Sequence, residues 1–182
     1  MKLAPMLYCA GLNSERYKVL KSRFQTPFET EDQGGWKLGG NDYTLDHSFR
    51  LRLQNDLLGG EGDGDDLQHK GLPPAYAQQI VCNAMKQFPR HPLTQIEPLE
   101  WWAGVLIMQE EIDEETTIVS SWFAGELQGI GDWVAEQCKR DDYSLVPVRL
   151  FITNATAAAD SVLDRAAEIG LNKPDNYPKA RI

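Results

Sequence analysis

From Tyr43 onward, Leu45, Phe49, Leu53 and Leu57 recur every fourth position, and Gly59 closes the series. That spacing draws one apolar stripe along a helix, and glycine suits the left-handed position after its last turn. The alternation Phe49, Leu51, Leu53 also fits a strand, but the four-residue recurrence spans more of the segment. Tyr17, Leu20 and Phe24 predict a second helix, capped by Asn13 or Ser14 and stopped near Gln25 by Thr26-Pro27. Pro73-Pro74 opens a third, running through Ile80, Val81, Ala84, Met85 and Phe88 to Pro89.

The second half of the chain has a different rhythm. After Pro98, Leu99 to Ile112 reads as a helix or, through Val105-Leu106-Ile107-Met108, as a buried strand. Thr116 to Phe123 predicts a strand, and a helix weakened by Gly129 and Gly131 follows to about Arg140. Leu145 to Thr153 predicts another strand, which Pro147 places near a sheet edge. Asn154 caps a helix ending near Ile169, with Gly170 behind it. The expected fold is α+β and helix-rich, one domain over 1–182 with a small sheet from the C-terminal half. The alternative is an all-α domain in which the apparent strands are buried helix pieces. Leu45, Phe49, Leu53, Ile80, Ala84, Leu106, Val119, Leu150, Ile152 and Leu163 are the expected core. The stretch around Gly34-Gly35 and Gly39-Gly40 reads as loop or short hairpin. Gly59 to Gly71, rich in Gly and Asp, reads as a flexible acidic loop.

Composition adds bounds. With 182 residues, 42% hydrophobic and 25% charged, a core forms without disulfide or metal staples. The longest apolar run, Ala103 to Met108, is far short of the roughly 20 residues a membrane span needs. Pro5 interrupts the apolar N-terminus, so no secretory signal is expected. Cys9, Cys82 and Cys138 are odd in number and far apart, which points to free thiols and a cytoplasmic setting.

Charge changes the picture more. Net charge is −9, but residues 1–28 balance at +4, while residues 91–138 hold ten acidic groups and no Lys or Arg. Four of the five tryptophans, Trp101, Trp102, Trp122 and Trp133, lie in that same stretch. Carboxylates steer a basic partner and aromatic rings supply desolvated contact area. Glu110, Glu111, Asp113, Glu114, Glu115, Trp101, Trp102 and Trp122 are therefore the candidate partner-binding residues. Direct nucleic-acid binding through this region is disfavoured, because phosphate contacts need Lys and Arg.

Candidate chemistry is sparse. The loop Gly60 to Asp66 alternates carboxylates in the manner of a calcium loop, but the twelfth position from Asp63 is Pro74 and from Glu61 is Leu72. Glu110 to Glu115 has no accompanying His for a carboxylate-bridged metal site. Asp46-His47-Ser48 holds the residue types of a hydrolytic triad, yet sequence neighbours do not converge as one. Ser120-Ser121 lacks a nucleophile elbow. Gly125 to Gly131 lacks the glycine order and Lys of a phosphate loop. Cys9, near the basic N-terminal helix, is the one cysteine with an adjacent cation source. No cofactor or metal is expected, and no catalytic residue is assigned. The expected function is a non-catalytic protein-binding module, of inhibitor, immunity-type or accessory kind, engaging a basic surface through 91–138. The alternative is a small cytoplasmic enzyme, such as a hydrolase using His47 or a carboxylate.

Overall fold

The computed structural model describes residues 1–28, 43–59, 72–94, 100–112, 115–139 and 145–171. Its elements, in chain order, are α1 (Leu3–Ala10), α2 (Ser14–Ser22), α3 (Leu45–Leu57), α4 (Pro74–Gln87), a 3-10 turn (Pro92–Thr94), β1 (Trp101–Ile112), β2 (Glu115–Glu126), a second 3-10 turn (Leu127–Gly129), α5 (Ile130–Gln137), β3 (Val146–Asn154) and α6 (Ala155–Glu168). The three strands form one antiparallel sheet in the order β2-β1-β3. The fold is α+β and helix-rich, with its sheet drawn from the C-terminal half.

α3 is the central element. Its stripe of Leu45, Phe49, Leu53 and Leu57 enters the main core with Ala77, Ile80, Val81 and Ala84 of α4. Leu51, off that stripe, joins a second cluster with Met6, Leu7 and Ala10 of α1 and Tyr17 and Leu20 of α2. α3 is thus apolar on more than one side because helices cover more than one side. α6 meets the main core through Ala155, Ala158, Ala159, Val162 and Ala166. These small side chains let its backbone approach α3 and β1 closely. Asn154 caps it as expected, its Oδ1 accepting the Ala157 N–H at 2.9 Å.

β1 divides its side chains by alternation. Ala103 and Val105 face the helices in the main core. Leu106 and Met108 point the other way, into a third cluster with Leu145 that Val119 and the α5 residues Trp133, Val134 and Cys138 complete. The Trp101–Ile112 stretch is therefore strand: β-branched residues, the pairing with two neighbours and burial on both faces outweigh its mixed helical pattern. Strand β2 outruns its expected limits, since hairpin pairing holds through Glu126↔Trp101.

Two expected core residues are not core. Leu150 and Ile152 lie opposite Leu106 and Gly104 on the face away from the main core, each 36% exposed. Phe151 is the β3 residue that packs on the main core. α5 covers the other two strands on this face and leaves β3 open. Helix α1 was not evident in the sequence. Pro5 sits within its first turn, where the missing N–H has no helical partner to lose. The Gly60–Gly71 loop and the 29–42 stretch lie outside the described residues. Among those described, no helix is long and apolar enough to cross a membrane.

Candidate functional site

Among the described residues, Asp46, His47, Ser48 and His91 are engaged in holding the fold together. Asp46, in the first turn of α3, accepts from His91 Nε2 at 2.7 Å and from Arg50 Nε at 2.8 Å. His91 Nδ1 accepts the Leu93 N–H at 3.2 Å. The ring proton therefore sits on Nε2 and is directed to Asp46, so neither nitrogen is left to act as a base. His47 is likewise occupied: its Nδ1 accepts the Thr44 N–H at 3.1 Å and closes the start of α3. The rings of Phe28 and Tyr43 meet its edge. Ser48 donates to the Met6 carbonyl at 3.0 Å. Asp46, His47 and Ser48 thus turn to three different partners. Burial pushes the Cys9 thiol up, only partly offset by the Arg165 charge, which keeps it from thiolate chemistry. No group of three or more His, Cys, Asp or Glu side chains is placed to hold a metal among the described residues.

Burial alone would raise the Asp46 carboxyl, but the His91 hydrogen bond and the Arg50 charge outweigh it and hold it down at about 2. An unfolded Asp titrates near ~3.9. A depressed folded value means the stabilisation is fully present above the unfolded value and is lost as pH falls through the folded one. Asp46 should therefore contribute about 2 kcal/mol at neutral pH, lost between roughly pH 4 and pH 2. Denaturant midpoints of the parent and Asp46→Asn across that window check this: the parent should lose more stability on acidification, and parallel curves would refute it.

Those of the acidic and aromatic residues singled out in 91–138 that the structure describes are spread along the β1–β2 ladder. The register carries Trp101↔Glu126 and Trp102↔Gly125 at one end of the β1–β2 ladder and Ile112↔Glu115 at the other. Eight residues separate Trp102 from Glu110, on the order of 26 Å of strand. Glu110 is 7% exposed, and its Oε1 has no hydrogen-bond partner among the described residues. It is unavailable as a surface charge. Glu111 and Glu115 occupy the paired strand ends, opposite Thr116 and Ile112. Asp113 and Glu114 lie outside the described residues. Trp101 packs edge-on against Phe88, and Trp122 lies on the main core. Trp133 packs on Phe123 under α5. Trp102 is half-buried on the opposite face from Trp101. Among the acidic side chains of this stretch whose exposure is described, Glu100, Glu126, Asp132 and Glu136 reach solvent.

Two exposed features were not singled out from sequence. The first is on edge strand β3, where Val146, Val148, Leu150 and Ile152 are 59%, 55%, 36% and 36% exposed. In sequence they merge into an apolar run that looks like core, and nothing short of the sheet order reveals which face is uncovered. The second is Phe24, at the end of α2. Against known proteins, the chain matches no family model, no curated protein and no solved structure.

Proposed function

We propose that this chain is a non-catalytic protein-binding module that takes a basic, extended partner segment along the outer edge of β3. The exposed pair Leu150 and Ile152, on the regular part of β3 beyond its bulge, carries the reading. Proteins ordinarily blunt a sheet edge with charges or proline. Pro147, Arg149 and the bulge between them blunt the Val146–Arg149 end of β3, whereas Leu150 to Asn154 carries no charge, proline or bulge. The opposite edge, β2, is lined instead by Thr117, Ser120 and Ser121 between its apolar positions. A strand added to β3 gains main-chain hydrogen bonds from the edge and side-chain contact from Leu150 and Ile152. Glu100, Glu126, Asp132 and Glu136, with the net charge of −9, favour a basic partner by steering its approach.

The test is a paired affinity capture with the parent and Leu150→Lys/Ile152→Lys as baits, from extract of the native cell. The variant should fold and melt close to the parent, because both positions reach solvent. A partner retained by the parent should be missing from the variant and should weaken from about 50 mM to about 500 mM salt. Addition of that partner should slow hydrogen exchange along β3. Identical capture by both baits, or unchanged exchange in β3, rejects the reading.

A further inference from the structure

Phe24 has a left-handed backbone, φ +55°, and its side chain is 74% exposed. It is the non-glycine residue with positive φ among those described. A bulky residue is disfavoured in that conformation, which Gly or Asn adopts with little strain. The surroundings impose it. The Phe24 N–H donates to the Lys21 carbonyl at 3.1 Å, and the Gln25 N–H to the Leu20 carbonyl at 2.9 Å. Gln54 Nε2 then holds the Gln25 carbonyl at 2.7 Å, and Gln78 Nε2 the Thr26 carbonyl at 2.9 Å. An aromatic ring is thereby presented outward from a fixed base, at a position where a smaller residue would suit the fold better. Strain retained with an exposed ring is a feature to be explained by what the ring meets.

Around it, Val19 is also exposed, as are Lys18, Lys21 and Arg23. This basic and apolar patch belongs to a chain of net charge −9. The three apolar clusters lie in series: one beneath α2, the main core between α3 and the sheet, and one beneath α5 on the far face. α2 and α5 therefore sit on opposite outer layers, and one copy cannot bring them together. On and beside α5, Glu126, Asp132 and Glu136 are exposed, with Lys139 exposed after its last turn, and Leu127 in the preceding 3-10 turn is an exposed apolar side chain.

We infer that the α2 patch docks on the α5 end of a second copy, joining copies head to tail. Lys18, Lys21 and Arg23 meet carboxylates, and Phe24 and Val19 meet Leu127. The patch matches that end in charge and in having an apolar centre. An anionic bilayer would attract the patch but repel the rest of so acidic a chain. The two surfaces differ, so the contact is heterologous and each copy keeps one free end of each kind. This assembly does not depend on the β3 edge.

Sedimentation of the purified full chain at rising concentration tests it. At about 20 mM salt the average mass should climb with concentration; at about 500 mM, where charges are screened beyond roughly 4 Å, it should stay that of one chain. Lys18→Glu/Lys21→Glu and Asp132→Lys/Glu136→Lys should each remain monomeric alone. Mixed, they should associate again, since each retains one intact surface and the two reversed surfaces are opposite in charge to each other. Phe24→Asn should melt higher than the parent while associating more weakly. A parent monomeric at low salt overturns the proposal. So does association that survives either charge reversal, or a mixture that stays monomeric. A monomeric parent that instead sediments with phosphatidylserine vesicles would give the patch to a lipid surface and equally overturn it.

Discussion

Gly104→Val should remove β3 from the sheet, and even Gly104→Ala should destabilise by about 3 kcal/mol or more. A Cβ at Gly104 would stand 2.1 Å from the Phe151 carbonyl oxygen and 2.9 Å from Ile152 Cγ2. The first of these is backbone, so no rotamer change relieves it. In a strand interior, alanine ordinarily gains about 0.5–1 kcal/mol over glycine, so the expected sign is reversed here. The strain would not stay local. β3 runs directly into α6, whose alanine face fills the main core. Equilibrium denaturation measures the loss. A Gly104→Ala variant as stable as the parent would mean that β1 and β3 do not approach this closely.

Phe49→Ala should cost about 3–5 kcal/mol, the range for a large aromatic removed from a packed core. Phe49 is fully buried in α3, within the main core, and its ring packs at 5.4 Å from that of His91. The substitution would open a cavity and also take away a wall of the His91–Asp46 contact. Ile152→Ala provides the internal comparison, with an expected cost below about 1 kcal/mol, because its side chain is already partly hydrated. Comparable losses at the two positions would contradict the assignment of Ile152 to the open face.

The helices were legible where periodicity and caps agreed. Leu45, Phe49, Leu53 and Leu57 marked α3, Pro73-Pro74 marked the start of α4, and Asn154 with Gly170 bounded α6. Helix α1 was not legible, because Pro5 breaks an apolar run in sequence yet is harmless in a first turn. The candidate surfaces were the least legible part. Grouping Glu110 with Trp101 and Trp102 treats nearness in sequence as nearness in space. An extended β1 separates its two ends instead, whereas a helix over the same residues, at ~1.5 Å per residue, would have kept them within about half that distance.

By itself the sequence determined where α3, α4 and α6 begin and end, that the C-terminal half supplies the strands, and that charge is segregated along the chain. Those properties are local: propensity, periodicity and side-chain capping act within a few residues. Tertiary structure alone decided which face of each strand is covered. Leu106 and Leu150 are both aliphatic and lie opposite each other, yet one is buried under α5 and the other is open. It decided as well that Glu110 is enclosed, that His91 faces Asp46, and that basic α2 and acidic α5 lie on opposite sides. Burial depends on which distant segment arrives, and no short-range pattern encodes that arrival.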